Sequence, residues 1–175
     1  MSAVPGGSAA GEVRLVHWSA GDLPLLTGLV GDPAMMEHLG GPEDEAKIRD
    51  RQRRYEAPGS GSFKVVDPAS GEGAGWVGFW PREWGGEEAF EVGWSILPAF
   101  QGRGLAGAAA AAVVGLAQAD GRHDAAFAFP APGNDASNAI CRRLGFELLG
   151  AADMEYPPGR MGRWNVWRLA FGDGR

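Results

Sequence analysis

The alternation of apolar and polar positions divides this chain into short strands and a few helices. Val13 and Leu15 flank Arg14, so Glu12 to Trp18 reads as a first strand. Ser62 to Asp67, with Phe63 and Val65 in phase, is a second. Ala74 to Trp84 is a third, with Trp76, Gly78 and Trp80 on one face and Val77 and Phe79 on the other. Gly85-Gly86 gives a hairpin turn into a central strand, Phe90 to Leu97, which Pro98 closes because proline cannot donate to a sheet ladder. Asp22 can cap a helix over Leu23 to Val30, with Pro24 tolerated in its first turn. Glu43, Asp44 and Glu45 followed by Arg49 to Arg54 predict a second helix whose charges complement its dipole. Ala106 to Ala119 is dominated by the best helix former. Ala125 to Phe129 is a further strand, and Asn134 or Asp135 to Leu144 a short helix stopped by Gly145. Phe146 to Tyr156 and Trp164 to Phe171 form a closing hairpin. The order β-α-α-β-β-β-α-β-α-β-β is an α/β chain of the mixed-sheet, α+β kind, not a doubly wound one. With no repeat and no second boundary, residues 12–175 read as one domain behind a flexible tail, 1–11.

Composition narrows the partners. The 175 residues suffice for one packed core. A net charge of −6 argues against nucleic acid, which selects basic surfaces. No apolar run approaches the length of a membrane span. Cys141 is the only cysteine, so neither a disulfide framework nor a zinc cluster can form, which suits a reducing, cytoplasmic compartment.

The candidate chemistry lies between Phe90 and Ala119. A strand, then Gln101, Gly102, Arg103, Gly104, Leu105 and Ala106, then a long helix, leaves a row of backbone N–H groups unpaired at the positive end of the helix dipole. Such a turn suits a phosphate or pyrophosphate. Gly102, Gly104 and Gly107 match the dinucleotide fingerprint G-x-G-x-x-G. The following strand, however, ends at Pro130 without the acidic residue that a ribose needs, which disfavours that reading.

The other match is Gln101-x-x-Gly104-x-Ala106 behind Val-Gly-Trp-x-x-x-Pro, which resembles the acyl-CoA-binding turn of the GNAT superfamily of N-acetyltransferases. Asn134-Asp-Ala-Ser137 followed by Leu144-Gly145-Phe146 resembles the N-x-x-S…L-G-F segment of the ribosomal-protein (Rim-type) branch. The resemblance runs from about Val13 to Phe171 and is strongest from Glu91 to Phe146. It implies an acyl-CoA N-acyltransferase fold that uses acetyl-CoA, without a metal, to acetylate a primary amine on a small molecule or a protein N-terminus. Homodimers are common in the resembling branch. The amides from Gln101 to Ala106 would then hold the pyrophosphate, helped by Arg103, and the backbone of Ile96 and Leu97 would pair with the pantetheine arm. Asn134 would hold pantetheine and Ser137 lie near the sulfur, although plain helix capping accounts for both residue types as well. Many relatives carry a tyrosine acid on this helix, and none occurs here between Asn134 and Phe146. Glu91, in a Glu-Val-Gly-Trp context, is either the candidate base or a charged strand end facing solvent, whereas Glu87 and Glu88 at the hairpin tip are expected to be exposed. Met35 to Gly41 would line the acceptor side or simply pack as a loop, and Trp76, Trp80 and Trp94 would wall the acceptor pocket or belong to the core.

Overall fold

A computed structural model describes residues 3–4 and 13–172. The strands are β1 (Ala3–Val4), β2 (Arg14–His17), β3 (Ser62–Val66), β4 (Gly73–Trp84), β5 (Glu87–Ile96), β6 (Ala125–Ala128), β7 (Glu147–Glu155) and β8 (Met161–Ala170). The helices are α1 (Leu23–Val30), α2 (Glu45–Glu56), α3 (Leu105–Asp120) and α4 (Asp135–Arg143). All strands lie in one sheet, in the order β1-β2-β3-β4-β5-β6-β8-β7, antiparallel except between β5 and β6. From β2 onward the order of elements is the expected one. The addition is β1, which pairs with β2 inside the stretch expected to be a tail. Residues 1–2 and 5–12, the rest of that tail and the start of the first expected strand, lie outside the described residues.

Neighbouring residues of β4 show how the layers form. Val77 packs with Phe90, Val92 and Ile96 of β5 against Ala109, Val113 and Ala117 of α3 and Cys141 of α4. Trp76, one residue earlier, turns to the opposite face and packs with Leu26 and Leu29 of α1 and Ile48 of α2. The sheet therefore carries α3 and α4 on one side and α1 and α2 on the other. Alanine at the buried positions of α3 lets that helix lie close to the strands.

Local signals resolve in two ways. Asp44 caps α2 by accepting from Lys47 N–H at 2.9 Å. Asp22 precedes α1 but does not cap it. Its carboxylate accepts from Ser19 N–H at 2.9 Å and from Lys64 Nζ at 2.7 Å, tying the start of α1 to β3. Glu88 is exposed as expected, but Glu87 accepts two bonds from Arg168 on β8, at 2.6 and 2.8 Å, which hold its carboxyl below the usual range.

The feature that positions the site is a split. β5 and β6 are paired only at Phe90↔Ala126 and Glu91↔Phe127. Beyond Glu91, β5 continues to Ile96, while β6 ends at Ala128, just ahead of Pro130. The two strands part there, and the stretch of β5 beyond β6 is met by Ser137 in the first turn of α4 and by Gln101 just ahead of α3.

Candidate active site

The turn into α3 is built as its glycines require. Pro98–Phe100 forms a short 3-10 turn, and Gly102 and Gly104 then take φ of +76° and +77°, the left-handed region that a side chain disfavours. Gln101 N–H bonds back to Pro98 C=O at 3.2 Å, and Ala108 N–H to Gly104 C=O at 3.1 Å. Between them, the N–H groups from Gly102 to Gly107 have no partner among the described residues. They open outward at the positive end of a 16-residue helix, with Gln101 to Gly104 exposed. Arg103 lies over the Phe100 ring at 5.3 Å and pairs with Asp67 Oδ2 at 3.4 Å. Burial opposes ionisation of Asp67, but bonds from Ser70 and Ala69 and the charge of Arg103 hold it below its ordinary pKa. This places a cation beside the amide row.

The edge of β5 supplies the second part. Leu97 N–H is taken by Ala74 C=O at 2.9 Å, and its C=O by Phe100 N–H at 2.9 Å. The alternation of an antiparallel ladder then turns the N–H and C=O of Ile96 and Trp94 away from β4 and into the split. Of the two residues expected to present backbone there, Ile96 does so and Leu97 does not. Gln101 Nε2 donates to Ile96 C=O at 2.9 Å, so this side chain folds over the mouth of the split.

α4 supplies the third. Asn134 caps it, accepting from Ser137 N–H at 3.1 Å. Ser137 Oγ accepts from Trp94 Nε1 at 3.2 Å, a contact across the split between residues 43 apart in the chain. Because the hydroxyl oxygen receives the indole proton, its own hydrogen is left to donate elsewhere. Asn138, one residue on, fixes the helix: its Oδ1 accepts from Asn165 and Trp167, and its Nδ2 donates to Ala131 and Asn134 carbonyls, at 2.8–2.9 Å. Cys141 shares the face of Ser137, but burial pushes its thiol up to about 12, so it is no nucleophile.

Glu91 sits where the strands part, on the opposite face. Pairing places it opposite Trp80, and so on the side of Trp76, Trp80 and Tyr55. Trp94 pairs with Val77 and therefore faces α4, which removes it from any wall shared with Trp76 and Trp80. The Trp76 and Trp80 rings lie flat over the strands because Gly78 and Gly93 have no side chains. A Cβ at Gly93 would come within 3.1 Å of both rings. Tyr55 stacks on Trp76 at 5.2 Å. Burial raises the Glu91 carboxyl to about 6, against the pull of Arg82 and the Trp80 indole. Arg82 Nη1 is 3.3 Å from Glu91 Oε2. The segment Met35–Gly41 borders this face: Met36 is buried, and Gly40 lies beneath Pro157 of the β7–β8 loop.

Sequence reasoning missed Arg82, Asp67, Tyr55 and Asn138. For Arg82 the signal was present. Counting back from the two-residue Gly85-Gly86 turn pairs Trp84 with Glu87 and Trp80 with Glu91, which sets Arg82 beside Glu91 on one face. Among the described residues no cluster of three or more His, Cys, Asp or Glu could hold a metal, and no helix is long and apolar enough to cross a membrane.

A mixed sheet split between two parallel strands, with an unpaired helix start near the gap and a carboxyl and a hydroxyl on its two sides, is the frame expected of an acyl-carrier-dependent transferase. The acetyltransferase (GNAT) domain profile matches residues 12–147, and the chain belongs to that family. Its fold resembles that of a GNAT-family acetyltransferase from Bacillus anthracis (TM-score 0.76, 19% identity, covering 93% of this chain and 96% of that one). A ribosomal L7/L12 α-N-protein acetyltransferase solved with coenzyme A is also similar (TM-score 0.74, 18% identity, 97% and 98%). So is a putative acetyltransferase from Salmonella typhimurium solved with acetyl-CoA (TM-score 0.73, 19% identity, 93% and 96%).

Proposed function

We propose that the protein transfers an acetyl group from acetyl-CoA to a primary amine by direct attack within a ternary complex. The observation that carries this reading is the row of unpartnered N–H groups from Gly102 to Gly107, opening beside the split. These amides, with Arg103, suit a pyrophosphate, and the outward-turned backbone of Ile96 suits an extended pantetheine arm lying along β5. Leu105 and Ala106 contribute through their amides, and the side chain of Gln101 would have to swing off Ile96. Asn134 and Ser137 lie at the inner end of that path.

The chemistry follows from the two faces. A neutral amine approaches over Trp80 and attacks the thioester carbonyl. The C–N bond forms and the C–S bond breaks. Glu91, ionised above about pH 6, accepts the amine proton. The Ser137 hydroxyl, oriented by Trp94, donates to the departing sulfur. The inert Cys141 leaves no cysteine for a covalent acyl intermediate. The same reading extends to a cytoplasmic enzyme, and to a homodimer that covers the exposed Leu148, Leu149 and Met161 of the closing hairpin.

Incubation with acetyl-CoA and an amine library, followed by mass spectrometry, tests the reading. The expected product is an amine heavier by one acetyl group, with Ser137→Ala lowering kcat more than the affinity for acetyl-CoA. Tight coenzyme A binding with no product from any amine would leave only a sensor of this fold.

A further inference from the structure

Arg82 is a guanidinium without adequate partners. Its ion-pair contact with Glu91 is 3.3 Å long and outside hydrogen-bond geometry, and its one other polar contact is Met154 Sδ at 3.7 Å. No oxygen among the described residues accepts a hydrogen bond from it. Its position is nevertheless fixed, because the guanidinium lies over the Phe129 ring at 5.0 Å and the Trp84 ring at 6.0 Å. The side chain is 37% exposed and Glu91 19%, so both reach the surface of the aromatic face. The result is a donor fork resting against two rings, beside the carboxyl that stands where the strands part.

We propose that Arg82 binds the carboxylate of the acceptor, and that the acceptor is a free amino acid or a similar amine with a carboxylate on the neighbouring carbon. This rests on the transferase reading. The geometry favours it because Arg82 and Glu91 already stand at ion-pair distance with opposite charges. An α-amino acid carries its amine and carboxylate on one carbon. Laid across the pair, it replaces the single Arg82–Glu91 contact by two, carboxylate on Arg82 and amine on Glu91. A guanidinium takes a carboxylate through two parallel N–H bonds, which an amide cannot reproduce. A protein N-terminus presents a neutral amide at that position and leaves the charge of Arg82 unanswered. The substrate side chain then extends over the Trp80 ring, where apolar and aromatic groups gain most.

The test measures kcat/KM for acetylation of a set of free amino acids and of their carboxamides, with the full-length wild type and with Arg82→Gln. Wild type is expected to favour the acids by about 10–100-fold, the cost of leaving a charged donor fork without its acceptor. In R82Q that ratio falls toward one, and Arg82→Lys restores part of it. Calorimetric binding of the preferred amino acid to the enzyme–coenzyme A complex gives a second readout that needs no turnover, and R82Q weakens it. Equal use of acids and amides by wild type, or an unchanged ratio in R82Q, overturns the proposal. Acetylation confined to peptide N-termini or polyamines overturns it while leaving the transferase reading intact. Failure to acetylate any amine overturns both.

Discussion

Glu91 has a carboxyl whose environment conflicts with its charge. Burial among Trp80, Phe127 and the neighbouring strands favours the neutral form, and the nearby Arg82 offsets only part of this, leaving a pKa of about 6 against an ordinary 4.5. A raised carboxyl pKa adds stability below the unfolded value, and that stability is lost as pH rises through the folded one. The native state therefore gives up about 2 kcal/mol between pH 4.5 and pH 7, at 1.36 kcal/mol per unit. Such a group is weakly acidic enough to accept a proton near neutrality and is ionised above pH 6, which matches the demands on a general base. We expect kcat/KM for the amine to rise through an inflection near pH 6. In Glu91→Gln that inflection disappears and the rate falls about 100-fold. Thermal stability at neutral pH is kept or raised, because the amide carries no ionised form to bury. An inflection that survives in E91Q would assign the titration to another group.

The turn into α3 concentrates the function of an element in one backbone conformation. Gly104 has φ of +77°, and no atom lies within 4 Å of the point where a Cβ would stand, so a side chain there meets strain but no clash. The strain is roughly 1–2 kcal/mol, confined to an exposed turn. Gly104→Val should therefore fold with unchanged far-ultraviolet circular dichroism, yet lose at least about tenfold in coenzyme A affinity by calorimetry, because the amide row is displaced and covered. Unchanged affinity would remove the turn from the site. This turn was readable in the sequence, since a strand-ending proline, two glycines and an alanine-rich run each act locally. Strand faces were readable for the same reason: alternation on β4 and β5 fixes which side each residue takes. What could not be read depends on contacts between distant segments. The Trp94–Ser137 bond joins residues 43 apart, and the Asp22–Lys64 pair residues 42 apart. Asp22 has the sequence signature of a cap, but a lysine from β3 competes for its carboxylate. Trp76, Trp80 and Trp94 are alike in composition, but the register counted from the Gly85-Gly86 turn already separates the third from the other two.

At the scale of the whole molecule, the split makes the sheet two blocks joined by a narrow seam. β1 to β5 form one block and β6, β8 and β7 the other, and between them stand two residue pairs, Phe90↔Ala126 and Glu91↔Phe127. Around this seam, Arg168 clasps Glu87, the Ser137 hydroxyl meets Trp94, and α3 packs under both β5 and β6. A ligand in the split would touch the first block through the amides of α3 and Ile96 and the second through α4, so it would act as a further clasp. Coenzyme A at about 100 times its Kd adds about 2.7 kcal/mol to the stability of the form that binds it. For a chain of this size that is a rise in Tm of about 5–11 °C, at roughly 2–4 °C per kcal/mol. NAD and ATP, which lack the pantetheine arm, should give a much smaller shift. The protection should also be local. The backbone amides of Trp94 and Ile96, which face the opening, should slow in hydrogen exchange on binding, while those of Gly93 and Ser95, already turned into the β4 ladder, should change little. A Tm shift without this alternation along β5 would place coenzyme A elsewhere on the molecule, and the amine path over Trp80 and Glu91 would then lead to no thioester.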